Sequence, residues 1–273
     1  MRYLVTGATG KAGRHVVREL LARGASVRVL TRDPERAAGL PAGVEVAVGD
    51  LTAPATLEDA LDGITGLHLL TTGGDDYATL RTGPEIVELA EKAGVRRVSV
   101  LWNGQSGPVE EAVTASGLEW TILQPVDFMG NTLGWATPIR EAGEVREPFG
   151  DVPNAVVDEA DVGAVAAEAL TGDGHAGMVY AVTGPEALTP RQRLAAVAAA
   201  LGRDLRFVEL TEAQAREGWR QAGLGEELVD LLASWHGNPP PAAYTVTRTV
   251  EDVLGRPPRR FADWVRDHLD AFR

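Results

Sequence analysis

Over its first half the chain alternates between two hydrophobic periods. Short unbroken apolar runs such as SVRVL and VEVAV mark strands buried on both faces of a parallel sheet. Between them, apolar residues recur at i, i+3 and i+4, the spacing of a helix with one buried side. This pattern predicts strands near 2–6, 26–31, 44–48, 66–71, 96–101 and 119–123, and helices near 11–23, 56–62, 79–93 and 108–116. Strand–helix–strand repetition with right-handed crossovers gives an α/β fold with a Rossmann-like, doubly wound parallel sheet. Past residue 124 the pattern loosens, and PVDFMGNTLGWATPIREAGEVREPFGDVPN shows few regular elements. A helix over DEADVGAVAAEALTG, a strand over MVYAVTG, a helix from Pro190 to Leu201 behind Thr189, a strand near 206–208 and further helices complete the chain. The expected division is a sheet domain over 1–124, with the helix at 158–171 packing on it, and a smaller, mostly helical region over 125–273.

The first strand runs into three glycines, Gly7-x-x-Gly10-x-x-Gly13, and then into a helix. In a strand–turn–helix context the first glycine allows the tight turn. The second lets backbone approach a pyrophosphate, and the third lets helix and strand pack closely. Amides at the helix start, aided by its dipole, then face the anion. The turn Gly7, Thr9, Gly10, Lys11, Ala12 and Gly13 is therefore the candidate dinucleotide site, and 125–273 the candidate substrate region. The bland alternative is a turn that binds nothing. At the end of the second strand an acid favours NAD and an arginine favours NADP. The chain reads VLTRDPERA there. Arg32 matches a phosphate in forked geometry, while Asp33 before Pro34 has the form of a helix cap. NADP is preferred over NAD, with the opposite assignment, Asp33 on the ribose, as the alternative.

Composition narrows the function classes. The chain has 273 residues, 44% of them hydrophobic, no cysteine and a net charge of −13. That charge argues against a nucleic-acid partner, and no apolar run reaches the length of a membrane helix. Without cysteine there is neither disulfide nor thiolate metal site, and the histidines show no metal spacing. With no signal-peptide pattern at the N-terminus, a cytoplasmic location is expected. The expected partner is a small, largely apolar substrate, handled by a monomer or homodimer.

The stretches LVTGATGKAG, VLTRDPERA, VAVGDLTAPATLEDAL, ASGLEWTILQPVDFMGN, VVDEADVGAVAAEAL and GRPPRRFADWV together resemble the NmrA-like group, a branch of the atypical short-chain dehydrogenase/reductase superfamily. The group contains NADPH-dependent quinone, enone and ether-type reductases, and also proteins that bind NADP without evident turnover. The resemblance implies that Asp50 and Leu51 lie against the adenine. It implies that Thr71, Thr72 and Gly73 lie next to the nicotinamide ribose, and that Leu123, Gln124 and Pro125 lie beside the nicotinamide. Phe128, Met129 and Asn131 would begin the substrate pocket. Gln124 stands where many relatives carry arginine.

The larger superfamily uses a Tyr-x-x-x-Lys pair for proton transfer. Here the tyrosines are Tyr3, Tyr77, Tyr180 and Tyr244, the lysines are Lys11 and Lys92, and no such pair exists. Other candidates follow from position. Residues at the carboxyl end of the fifth strand face the ligand crevice, which offers Asn103, Gln105 and Ser106 as donors to a carbonyl and Trp102 as a wall. Equally, these are turn residues satisfying their own backbone. His236, in the proline-rich stretch SWHGNPPPAAY, is a candidate proton donor if that loop covers the pocket, and otherwise an exposed histidine. Trp120, Trp135, Trp219, Trp235 and Trp264 read as packing groups, with Trp135 the one placed to line an aromatic pocket. Two readings result: an NADPH-dependent oxidoreductase acting on an apolar carbonyl, enone or quinone, or a non-catalytic NADP-binding sensor acting through a protein partner.

Overall fold

The computed structural model describes residues 1–74 and 78–273; Tyr77 lies outside the described residues. In chain order the first elements are β1 (Arg2–Val5), α1 (Gly13–Ala22), β2 (Ser26–Thr31), β3 (Glu45–Val48), α2 (Glu58–Leu61), β4 (Gly66–Leu70), β5 (Thr72–Gly73) and β6 (Ala78–Thr79). There follow α3 (Gly83–Lys92), β7 (Arg97–Leu101), α4 (Pro108–Ala115), β8 (Glu119–Pro125), α5 (Ala136–Ala142), β9 (Glu144–Pro148), α6 (Glu159–Thr171) and β10 (Met178–Val182). The chain closes with α7 (Pro190–Leu201), β11 (Arg206–Leu210), α8 (Glu212–Gln221), α9 (Glu226–Gly237), α10 (Thr249–Leu254), α11 (Phe261–Asp267) and α12 (Leu269–Phe272). No helix among the described residues is long and apolar enough to cross a membrane.

The chain divides into two compact units. The first comprises Met1–Pro125, Glu159–Val182 and Thr249–Gly255. It holds a seven-stranded, wholly parallel sheet in the order β10-β8-β7-β4-β1-β2-β3. The order reverses direction between β1 and β4, the switch point where such sheets bind ligands. Because side chains alternate along a strand, each face of the sheet has its own core. Leu4, Leu67, Leu69, Val98, Val100 and Ile122 pack in one cluster with residues of α2, α3 and α4. Tyr3, Val5 and His68 are equally buried, and helices α1 and α6 pack along the sheet strands. The second unit comprises Val126–Asp158, Thr183–Arg248 and Arg256–Arg273. Its core gathers Met129, Ile139, Val145, Val197, Phe261 and Trp264, among others, next to the parallel pair β9–β11.

Three sequence expectations change. The stretch after residue 124 is more regular than its Gly and Pro content suggested, with a 3₁₀ segment over Met129–Trp135 leading into α5 and β9. Gly143 ends α5 in the left-handed region (φ 63°) and so turns the chain directly into β9. The helix expected from 79 starts at Gly83 instead, because Pro84 fits the first helical turn and Ala78–Thr79 pair with Thr72–Gly73. The strand expected over 119–123 runs on to Pro125, whose neighbour across the sheet is Val182.

One buried group makes stability depend on pH. His68 is fully buried in β4, its Nδ1 lies 2.8 Å from the Ser99 hydroxyl, and its Nε2 has no partner among the described residues. Burial pushes its pKa down from 6.5 to about 4. The unfolded chain accepts a proton in that window which the folded chain refuses, so stability falls as pH drops from 6.5 toward 4. Urea denaturation should show a loss of about 2 kcal/mol between about pH 7 and about pH 5 from this group. The His68→Gln variant should lack that increment; an identical pH slope in both proteins would contradict the burial argument.

Candidate functional site

The glycine turn leaves β1 at the switch point. Gly7 adopts φ 61°, a conformation that a side chain strains, and its carbonyl accepts from Gly10 N at 2.8 Å. A Cβ added at Gly13 would drive into the Gly7 carbonyl oxygen, and one at Gly10 would sit 3.0 Å from the same atom. The third glycine therefore lets helix α1 start against the turn itself. No side chain caps α1, and its first turn holds no acid. The amides of Arg14, His15 and Val16 donate to Gly10 O and Ala12 O within the turn, and no acid neutralises the positive end of the helix. Arg14 Nε donates to Gly10 O at 3.0 Å and adds positive charge beside the turn. Thr9, Gly10 and Lys11 are exposed, while Ala8 and Ala12 are buried and anchor the loop. These features fit a dinucleotide pyrophosphate.

Thr6, just before the turn, was not singled out by the sequence reading. Its hydroxyl donates to His68 O at 3.0 Å and accepts from Leu70 N at 2.9 Å. It thereby joins β1 to β4 where the backbone ladder between them ends. Its signal was slight: a hydroxyl residue closing an apolar strand.

The first unit also carries the other expected positions. Arg32 is exposed past the end of β2. The Asp33 carboxylate accepts from Glu35 N at 3.0 Å and caps the 3₁₀ segment Pro34–Gly39, so its oxygen is engaged locally. Asp50 accepts from both the amide and the hydroxyl of Thr52 at 2.8 Å, and Leu51 is buried beside it. Thr71 is buried and donates to Leu101 O at 3.3 Å, whereas Thr72 and Gly73 are half-buried. Gln124 and Pro125 end β8, half-buried. Asn103 is tied into its own turn, accepting from Gln105 N at 3.1 Å and donating to Thr79 Oγ1 at 3.4 Å. Gln105 and Ser106 are exposed nearby. Trp102 leans on the sheet core with its Nε1 buried and unpartnered.

The remaining candidates fall in the second unit. Asn131, Trp135 and His236 line one cavity there, together with Trp219 and Trp235. Two corrections follow. His236 sits in the last turn of helix α9, not in a loop, because the apolar residues Val229 and Ala233 carry the helical period up to it. Trp219 and Trp235 line the cavity instead of serving only as packing groups, whereas Trp264 is core, stacked between Phe261 and His268. Met129 is fully buried in the core of this unit and does not line the cavity described here. Phe128 is half-buried, its backbone bridged to Val157. Asp127, Thr132, Glu147, Asn154 and Arg193 also line the cavity. These residues went unread because they are scattered over some 65 positions of sequence with no motif between them.

For proton chemistry, neither Tyr3 nor Tyr180 has the lowered pKa of a tyrosine beside a lysine, since burial pushes both up. Tyr180 Oη instead pairs with His175 Nδ1 at 2.9 Å. Among the described residues no group of three or more His, Cys, Asp or Glu stands together to hold a metal.

Comparison with known proteins supplies the context. A family model described as NAD(P)H-binding matches residues 7–107. The chain is 40% identical to the (4-alkanoyl-5-oxo-2,5-dihydrofuran-3-yl)methyl phosphate reductase of Streptomyces griseus, with 98% of both chains covered. It is 36% identical to the NAD(P)H azoreductase of Xenophilus azovorans, again over 98% of each. The Escherichia coli NADPH-dependent quinone oxidoreductase, solved with NADPH, superposes with a TM-score of 0.83 at 26% identity over 99% of this chain and 100% of that one.

The glycine geometry gives a graded test. Gly13→Ala should abolish calorimetric binding of NADPH, because backbone must move to admit the methyl group. Gly10→Ala, with its contact of 3.0 Å, should cost about ten-fold, near 1.4 kcal/mol. Circular dichroism would verify that each variant is folded. Unchanged affinity in folded Gly13→Ala would remove the turn from the binding site.

Proposed function

Because the chain belongs to the NAD(P)H-binding, NmrA-like branch of the atypical short-chain dehydrogenase/reductases, we propose that it is an NADPH-dependent reductase of small or medium-sized, largely apolar carbonyls, enones or quinones. The observation that carries this reading is the turn at Gly7–Gly13, where no Cβ fits at position 13 and a helix end is left without a side-chain cap. Arg32 is assigned to the 2′-phosphate and the glycine-turn amides to the pyrophosphate. Thr71 to Gly73, Gln124 and Pro125 would flank the nicotinamide end of the crevice. The bound dinucleotide supplies the hydride; the chain supplies position, and a crevice at the carboxyl ends of its strands.

The missing Tyr-x-x-x-Lys pair bears on which acceptors suit this chain. An isolated ketone that accepts hydride becomes a strongly basic alkoxide and needs a nearby acid. A quinone or enone instead yields an oxyanion delocalised over the conjugated system, basic enough to take a proton from water but stable without a dedicated donor. The chain's own side chains then need only orient the acceptor. Conjugated substrates are therefore favoured over simple ketones. The name of the S. griseus relative's substrate, a (4-alkanoyl-5-oxo-2,5-dihydrofuran-3-yl)methyl phosphate, describes a conjugated carbonyl that also carries a phosphate group. The sensor reading loses its ground, since both full-length relatives described above are named as reductases. We place the enzyme in the cytoplasm, as a monomer or homodimer.

Two measurements test the proposal. Purified protein should oxidise NADPH saturably with quinones or enones and turn over simple aliphatic ketones far more slowly; no oxidation with any conjugated acceptor would defeat it. Arg32→Ala should weaken NADPH by roughly 10- to 100-fold, the worth of about 1.5–3 kcal/mol for hydrogen bonds to a charged group, and leave NADH nearly unchanged. Equal losses for both dinucleotides would strip Arg32 of the phosphate role.

A further inference from the structure

The cavity of the second unit contains polar atoms without a partner among the described residues. Arg193, on helix α7, is 8% exposed, and its Nε has no hydrogen-bond partner. Its guanidinium lies over the Trp135 ring, 5.3 Å from the centroid, and forms no ion pair among the described residues. Thr132 Oγ1 and Asn154 Oδ1, from residues 1% and 6% exposed, are likewise unpartnered, and both residues line the same cavity. Burial of a donor without an acceptor costs free energy, and of a charge much more. Three such groups around one void point to a ligand that completes them.

The character of that ligand follows from its surroundings. Burial lowers the Arg193 pKa, and the charges of Asp127 and Glu147 act against that shift. Both carboxylates line the cavity without bonding the guanidinium. Asp127 accepts from Phe128 N and the Asn131 amide, and Glu147 accepts from Trp135 Nε1 at 2.8 Å. The charged side chains around the void thus sum to one positive and two negative, which opposes a further anion, above all a dianion. An uncharged oxygen acceptor suits the guanidinium without that penalty. Around the polar groups stand Trp135, Trp219 and Trp235, flat faces that stack on a conjugated ring. The void of about 280 Å³ lies at the small end of ligand sites, near 300 Å³, and holds a molecule of one or two rings.

Phe149, another lining residue, gives an independent sign of a built site. It adopts φ 55°, a strained conformation for an aromatic residue. Its ring occupies the space beside Gly237, where an added Cβ would come within 2.9 Å of it. The same ring forms part of the cavity wall.

We propose that this cavity binds a planar, uncharged, conjugated carbonyl compound, with Arg193 donating to its carbonyl oxygen and the tryptophans stacking on its ring. The proposal rests on the reductase reading for its choice of substrate class and makes Arg193 a specificity-determining residue. Its test needs no dinucleotide and no turnover. The full-length protein is titrated calorimetrically with naphthoquinone and with naphthoquinone sulfonate. Wild type should bind the uncharged compound at least about ten-fold more tightly than the sulfonate. Arg193→Met keeps the stem against Trp135 and removes the donor. It should weaken naphthoquinone by about ten-fold or more while raising the urea midpoint, since an unpaired buried charge is lost. The gain in stability separates lost recognition from a damaged fold. Equal naphthoquinone affinity in wild type and Arg193→Met, or tighter binding of the sulfonate by wild type, would overturn the proposal. Arg193-dependent naphthoquinone binding in a protein that never oxidises NADPH would leave this site standing and remove only the reductase reading.

Discussion

Close backbone contact holds helix α1 in place, and most of the first unit's chemistry depends on it. At its start Gly13 lies against the Gly7 carbonyl with no room for a methyl group. On its flank Gly163 of α6 meets His15, where an added Cβ would lie 2.5 Å from the His15 Cβ. Glycines on both sides therefore let α1 settle deeper onto its neighbours than ordinary side chains would permit. The hydrogen-bonded Thr6 hydroxyl fixes the strand end from which the turn departs. An anion arriving at α1 would meet amides whose direction is already set, so binding there would carry little ordering cost.

The second unit follows a different principle. Its cavity is walled by bulky rings and holds donors and acceptors that the fold leaves unsatisfied. A protein selected for stability alone would have filled Arg193's position with an apolar residue of similar reach. Keeping the guanidinium, together with a strained Phe149, sacrifices folding free energy for recognition. The first unit preorganises backbone for a charged group common to many enzymes. The second preorganises side chains for something more particular.

How much could be read in advance differs between the two units for physical reasons. The sheet was legible because its inner strands leave unbroken apolar runs and its helices a 3.6-residue period. The edge strands β3 and β10 keep such runs although Val46, Val48, Met178 and Val179 are exposed, because an edge strand is covered on fewer sides. The glycine turn was legible because its geometry demands glycines at fixed spacing: Gly7 for its positive φ, Gly10 and Gly13 for their close approach to the Gly7 carbonyl. The α5–β9 segment was hidden behind Pro138, Gly143 and Pro148. These residues looked like loop punctuation, yet they sit within α5, at its left-handed cap and at the end of β9. The cavity was least legible of all. Thr132, Asn154 and Arg193 converge only through tertiary structure, and nothing local marks any of them. Trp219 and Trp235 were read as packing residues because periodicity places an aromatic on a helix face without saying what the face meets.

The first unit is assembled from separate pieces of chain: β10 arrives after residue 177, and α10 follows some 66 residues later. The coding sequence for this unit is therefore interrupted twice by that of the other. A single exchange of everything after Pro125 would replace the whole second unit but would also replace α6, β10 and α10 of the first.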